Sequence, residues 1–333
     1  MSLDVELVSI VVILVFCSIL LVLLDAAVSG ILSLTLGILF RTAFRWGLLS
    51  LMVPPLAMAY GGLVERNLAK VHRVELSFAG LPEAFDGYRI VQISDIHLRS
   101  FIGRERVLGK MVEKIDGLDP DLIAFTGDVI TLDSGELRKT SSVLSGLKAR
   151  DGVVSVLGNH DYGLYMNESQ APTSKAECAA DVVRLEREMG WKVLLDESLV
   201  LSKGTVSSEA ADSIAIVGVE YTSPSPHFRS CGNLGKAAAG TEGMFRILLS
   251  HDPMHWDMEV VGQDYPLTLS GHTHSSQFSL LGWSPSRYIF KRYRGPYEAG
   301  EQVLYVNVGL GETLFPVRIG TRPEITLITL RRK

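Results

Sequence analysis

The sequence predicts an α/β domain, a sheet with helices on its faces, set behind an apolar N-terminal segment. Between residues 88 and 157 an apolar strand pattern alternates twice with an amphipathic helical one, the βαβ signature of such a sheet. A polar residue also stands at or just past the end of five apolar strands, where open α/β sheets place their ligands. The N-terminal segment is marked by charge: residues 1–64 hold only Asp4, Glu6, Asp25, Arg41 and Arg45. At 333 residues the chain has room for one large domain plus this addition, because single cores stop growing near roughly 250–300 residues.

The positive mean hydropathy, +0.23, comes from the N-terminal segment. Residues 7–24 are free of charge and have the length of a spanning helix, for which about 20 apolar residues suffice. Residues 26–40 read as a shorter second span closing a hairpin, and residues 46–64 as a further one kinked by Pro54-Pro55. Residues 1–64 are thus expected to be a membrane anchor of one to three spans. A cleaved signal peptide would need a positive region ahead of Leu7, and a core helix would show an amphipathic face; neither is present. Arg41 and Arg45 before the last run are balanced by Arg66, Lys70 and Arg73 after it, so the positive-inside rule assigns no side.

A polar connector, residues 65–70, leads into the domain at 71–333. Residues 74–78 alternate like a half-buried strand. Residues 88–94 form an apolar strand ending at Asp95, and 104–115 a helix with Val107, Leu108, Met111, Val112 and Ile115 on one face. A strand at 122–126 ends at Gly127-Asp128. A helix at 137–147 leads to a strand at 153–157 that ends at Gly158-Asn159-His160-Asp161. A loop at 162–174 and an amphipathic helix at 175–189 follow, then strands at 192–195, 199–201, 214–220, 245–250, 267–270, 303–308 and 324–330. Cys17, Cys178 and Cys231 lack CxxC spacing and read as buried thiols. The net charge of -5 and the absence of a Lys/Arg run argue against a dedicated nucleic-acid partner.

Five of the eight histidines, His97, His160, His251, His272 and His274, fall in the strand-end loops among Asp95, Asp128 and Asn159. Imidazole, carboxylate and amide oxygen together suit Mn, Fe, Zn, Ni or Co better than calcium, which prefers oxygen alone. Asp95, His97, Asp128, Asn159, His251, His272 and His274 exceed what one tetrahedral zinc uses. Two divalent metal ions sharing a carboxylate are therefore expected. His72, His227 and His255 match no motif and read as ordinary surface or core residues.

In order, these loops spell Asp95-Ile96-His97, Gly127-Asp128, Gly158-Asn159-His160-Asp161, Ser250-His251-Asp252 and Gly271-His272-Thr273-His274. The series resembles the calcineurin-like metallophosphoesterases, whose motifs run D-x-H, G-D, G-N-H-[DE], H and G-H-x-H. The resemblance covers residues 71–330 and is closest to membrane-associated bacterial members. It implies a four-layer α/β/β/α sandwich. One metal would take Asp95, His97, Asp128 and His274, and the other Asp128, Asn159, His251 and His272, with Asp128 bridging and a metal-activated hydroxide attacking phosphorus. His160 would donate a proton to the leaving group or hydrogen-bond a phosphoryl oxygen, and Asp161 or Asp252 would orient an imidazole.

The resemblance also implies hydrolysis of a phosphoester or pyrophosphate bond at the bacterial cytoplasmic membrane, with membrane lipids as partners. UDP-2,3-diacylglucosamine is the first expectation for a lipid-linked phosphorylated substrate, since a pyrophosphatase for it belongs to this superfamily. Nucleotides, teichoic-acid-type polymers and phosphoproteins come next. A silent scaffold or sensor would be expected to have lost a metal ligand, and none is missing. A transporter would need more spans than residues 1–64 supply. Arg99, where relatives often carry glycine, Arg104 and Arg106 read either as phosphate contacts or as a solvated helix start. Phe278, Leu280, Leu281 and Trp283 read first as a core strand and second as a lipid-facing surface. The basic cluster Arg287, Lys291, Arg292 and Arg294 would meet phosphate or anionic headgroups, or be solvated.

Overall fold

The computed structural model describes residues 3–167, 169, 171, 174–204, 211–224 and 230–333; His227 and part of the 162–174 loop lie outside them. Helix α1 (Leu3–Leu36) is unbroken. At about 1.5 Å per residue its 34 residues reach roughly 50 Å, beyond the roughly 30 Å of a bilayer's hydrocarbon core. Residues 26–36 therefore continue the first helix and do not close the expected hairpin. The chain turns at Gly37 instead, whose φ of 64° is the left-handed state that ends helices and that only glycine adopts freely.

Beyond the turn, α2 (Phe40–Gly47), residues 48–52 and α3 (Val53–Leu63) run on helically. Pro54 and Pro55 sit in the first turn of α3, where a missing N–H leaves no bond broken. Ile10–Leu36 and Phe40–Asn67 are each long and apolar enough to cross a membrane.

Residues 65–70 are tied down on the domain. Glu65 is buried and accepts the Gly320 N–H at 3.0 Å. Arg66 grips the Glu312 carboxylate through Nε at 3.0 Å and Nη2 at 2.8 Å. A Cβ added at Gly61 would stand 2.6 Å from the Arg318 carbonyl, so the last turns of α3 lie flush on residues 317–319.

The domain then runs β1 (Lys70–Phe78), β2 (Arg89–Ile93), α4 (Glu105–Asp116), β3 (Leu122–Phe125), α5 (Gly135–Leu144), β4 (Val153–Ser155), α6 (Lys175–Glu188) and β5 (Lys192–Val193). Its second half holds β6 (Glu197–Lys203), β7 (Asp212–Gly218), α7 (Leu234–Ala237), β8 (Phe245–Leu249), β9 (Leu267–Ser270), β10 (Gly295–Ala299), β11 (Gln302–Val306) and β12 (Glu324–Arg332). The strands form two six-stranded sheets, ordered β1-β12-β2-β3-β4-β5 and β10-β11-β9-β8-β7-β6. Sequence reading missed β10, because Gly295 and Pro296 read as breakers; it is an edge strand, where proline is tolerated.

Strand periodicity builds the layers. In β3, Ile123 and Phe125 pack with Leu108, Met111 and Leu137 of α4 and α5, while Leu122 and Ala124 face Ile214, Ile216 and Ile247 of the other sheet. In β7, Ala215 and Val217 turn outward to Leu234 and Trp256. Three cores thus lie between four layers, α/β/β/α, the fourth thin. Because β2, β3 and β4 are mutually parallel, as are β7, β8, β9 and β11, the strands' C-terminal ends gather at one edge.

Candidate metal centre

All eight predicted site residues meet at that edge. Asp95 follows β2, Asp128 follows β3, Asn159 follows β4, and His251 and His272 follow β8 and β9. In one cluster His274 Nε2 lies 3.2 Å from Asp95 Oδ1 and 3.0 Å from His97 Nε2. In the other, His272 Nδ1 lies 3.0 Å from Asn159 Oδ1 and 3.3 Å from His251 Nε2. Asp128 Oδ2 stands between them, 3.7 Å from His97 Nε2 and 3.1 Å from His251 Nε2.

The donor chemistry calls for cations. His97 Nδ1 is 3.2 Å from the Ile130 carbonyl and His251 Nδ1 is 2.7 Å from the Thr126 carbonyl. A carbonyl only accepts, so both rings carry their proton on Nδ1 and turn a lone pair on Nε2 inward. Lone pairs and carboxylate oxygens then face one another among buried side chains, an arrangement that repels itself until positive charge enters. Burial pushes the Asp128 carboxyl up, but His251, His160 and His97 outweigh it and hold it well below the usual range. Burial lowers His251, yet Asp128 more than reverses this and pushes the imidazole up to about 10. A proton there stands in for the positive charge that Asp128 attracts.

Backbone strain marks the same residues. Asp95, His97, Asp128, His272 and His274 all have φ between 45° and 73°, a left-handed conformation that side chains other than glycine rarely adopt. Such strain persists where the surroundings over-determine it, chiefly at functional sites. The motif glycines permit close approach: a Cβ at Gly158 would land on the Asp128 carboxylate, and one at Gly271 on Ser94 and Asp95.

The outer contacts differ in part from expectation. Among the described residues Asp161 bonds no imidazole; it accepts the backbone N–H groups of Asp128, Val129, Ile130 and Gly158 at 2.8 to 3.2 Å. Burial and the Asp128 charge push its carboxyl up to about 7 against these donors. Asp252 Oδ2 stands 4.0 Å from His272 Nε2, the one carboxylate of the pair that faces a ring. His160 Nδ1 donates to the Thr131 carbonyl at 2.7 Å, and its backbone N–H donates to Asp128 Oδ1 at 2.8 Å. Its ring is also near enough to His97 and Asp128 to join a metal-binding trio with them. His255, bonded to Ser250 and Glu259, is structural. None of the three cysteines forms a disulfide, and only Cys178 is buried.

Sequence reasoning missed Arg318, which is fully buried. Its guanidinium donates to the carbonyls of Val308, Gly309, Gly311 and Thr321 and stands 3.5 Å from His274 Nδ1. Burial lowers it to about 10, so it remains a cation. It secures residues 308–311 beneath the first loop, where Leu310 and Gly311 donate to the Ser94 and Asp95 carbonyls. A single arginine far from every metal motif gives no pattern to read.

A cavity of about 590 Å³ lies over the centre, lined by Asp128, Asn159, His160, His272 and His274 and by apolar Phe290, Leu314 and Phe315. A neighbouring one of about 450 Å³ shares Leu314 and Phe315 and holds Arg66, Arg99 and Arg104; Arg106 lies exposed on α4.

The family model described as calcineurin-like phosphoesterase matches residues 88–276. The metallophosphoesterase YkuE of Bacillus subtilis is 30% identical, over 87% of this chain and 97% of its own. A zebrafish (Danio rerio) transmembrane protein with metallophosphoesterase domain is 31% identical over 87% of this chain, which spans 64% of that protein. The UDP-2,3-diacylglucosamine pyrophosphatase LpxG of Chlamydia trachomatis is 27% identical over 84% of this chain and 94% of its own. With a family match across more than half its length and a relative covered nearly end to end, this chain belongs to the calcineurin-like metallophosphoesterases, hydrolases of phosphoester bonds that use divalent metals.

Proposed function

We propose that this enzyme is a membrane-anchored, dinuclear phosphohydrolase that cleaves a phosphoester or pyrophosphate bond in a lipid-linked substrate such as UDP-2,3-diacylglucosamine. The position of Asp128 carries the two-metal reading, because its Oδ2 faces an imidazole Nε2 on either side, 3.7 and 3.1 Å away. One cation would be held by Asp95, His97, Asp128 and His274, and the other by Asp128, Asn159, His251 and His272. When bound, the pair supplies Lewis-acid charge and a water acidified toward neutrality.

The chain's own groups do the rest. His160, with Nδ1–H given to Thr131, offers Nε2 to a substrate oxygen and as an imidazolium can protonate the departing group. Tyr165 lies against the His160 ring with centroids 4.4 Å apart, which restricts its tilt. The lipid-linked reading is supported by the two apolar helices, by the similarity to the UDP-2,3-diacylglucosamine pyrophosphatases LpxG and by the apolar cavity wall of Phe290, Leu314 and Phe315. Full-length protein in detergent, loaded with Mn, Fe, Zn, Ni or Co in turn, should hydrolyse bis(p-nitrophenyl) phosphate and UDP-2,3-diacylglucosamine. Turnover of the first without the second would refute the lipid assignment, and turnover of neither would refute the site.

A further inference from the structure

The expected core strand through Phe278 and Trp283 is absent. Leu280 and Trp283 pair across a tight turn, each backbone N–H donating to the other's carbonyl at 2.8 and 2.9 Å. The turn leaves Leu280 60% and Leu281 101% exposed, with Tyr288 at 76% and Ile289 at 67% beside it. Leu314, on the rim of the metal-site cavity, is 63% exposed. Soluble surfaces carry single apolar side chains, but a contiguous group of large ones marks a contact surface.

Three further observations identify what covers it. First, the group adjoins the anchor: Phe278 bridges to Ile319, and Val317, Arg318 and Ile319 are the residues on which Gly61 of α3 lies. Residues 317–319 therefore lie between Phe278, which leads into the turn, and the end of the second apolar helix. Second, its composition is interfacial: Trp283 and Tyr288 stack edge to face at 6.3 Å, and amphipathic aromatic rings are enriched at the headgroup level. Third, the exposed Arg287 borders the patch, and behind it stand Lys291 and Arg292, which share the single carboxylate of Asp257 at 2.6 and 3.3 Å, and Arg294, so the cluster keeps a net positive charge. Basic side chains there favour an anionic lipid surface.

We infer that the catalytic domain itself rests on the bilayer, inserting the Leu280–Trp283 turn together with Tyr288 and Ile289 into the interface beside the anchor. This second contact adds to the one that α3 makes through Gly61, and brings the apolar cavity wall at Phe290 and Leu314 to the lipid surface. The inference rests on the proposed membrane anchoring. It does not require that the substrate be a lipid.

The test uses full-length protein in vesicles containing anionic lipid and phosphatidylcholine brominated at shallow acyl positions, which quenches nearby tryptophan. The chain has four tryptophans. Trp191 and Trp256 are buried at 4% and 1% exposure and provide a constant unquenched background, while Trp46 in the anchor reports insertion of the helices. Trp283→Phe should remove a quenchable component that Trp46→Phe leaves in place. Leu281→Asp, at a fully exposed position, should abolish the Trp283 component while hydrolysis of bis(p-nitrophenyl) phosphate in detergent stays unchanged. A quenched Trp46 with an unquenched Trp283 would overturn the docking and leave the anchor standing. Quenching of neither would overturn both.

Discussion

Asp161 Oδ2 accepts the backbone N–H of Asp128 at 2.8 Å while also accepting that of Gly158 at 2.8 Å. One carboxylate thereby clasps the two loops that carry Asp128 and Asn159. Asp161→Asn replaces one acceptor by an NH₂ group facing N–H donors. A buried group left unsatisfied costs about 1–3 kcal/mol, and loss of outer partners weakens metal sites about 10–100-fold. Both a lower melting temperature and weaker metal retention are expected. An unchanged metal titration would mean that the clasp does not set the site.

Asp128→Asn tests the shared position directly. The amide lacks the negative charge that draws both clusters together, so both metals should be weakened and activity lost. Elemental analysis should find about two divalent ions per wild-type chain, as a two-metal hydrolysis requires. A fully metallated, active variant would refute the bridging role.

His160 separates two roles that the geometry allows, proton donor and third member of a trio with His97 and Asp128. As proton donor it is dispensable for metal: His160→Ala and His160→Asn should keep both ions and lose about 10²–10⁴-fold in rate, the scale of general acid–base catalysis. Loss of an ion in either variant would instead make His160 a ligand.

Glu186 gives a stability test independent of the metals. It is fully buried, receives the Ser155 hydroxyl on Oε2 at 2.6 Å, and has no partner on Oε1 among the described residues. Burial, aided by the Asp161 charge, holds its carboxyl well above the ordinary value of 4.5. The folded chain then keeps this proton where the unfolded chain has released it. Stability from this group is full below the unfolded value and falls as pH rises toward the folded one. Glu186→Gln should therefore melt higher than wild type near about pH 8 and lose that advantage toward about pH 4. A melting difference that does not vary with pH would show that Glu186 is not protonated in the fold.

The sequence could reveal this site because strands carry their functional residues at their ends, so a linear pattern of apolar runs followed by Asp, Asn or His survives folding as one edge. Asp128 and His272 were legible for that reason. Arg318 was not, since its partners are backbone carbonyls that no side-chain pattern encodes. Of Asp161 and Asp252 the sequence could not say which faces a ring, because the partners of Asp161 are backbone N–H groups of Asp128 and its neighbours. The turn at Leu281 was hidden for another reason: Phe278 to Trp283 has a strand's composition, and only the pairing of Leu280 with Trp283 shows that it folds back on itself.

The role of the anchor is open to a direct test, since every proposed metal ligand and His160 lie in the two-sheet domain and none lies in α1 to α3. A lipid-linked substrate would supply a reason, because acyl chains hold the phosphate in the same thin layer as the enzyme and raise their effective concentration. Where to cut follows from the contacts. A chain beginning near Val71 would discard buried Glu65 and the Arg66–Glu312 pair, so the truncation should begin at Glu65. That protein should keep its two metals and its rate on bis(p-nitrophenyl) phosphate, yet turn over vesicle-borne UDP-2,3-diacylglucosamine far more slowly than the full chain. In detergent micelles, where the full chain has no bilayer to concentrate it with its substrate, the gap should narrow. A gap of the same size in micelles would point to damage at the Gly61 contact with residues 317–319 and not to lost concentration at the membrane. Equal rates in vesicles would remove the case for a lipid substrate and leave the helices as a matter of location alone.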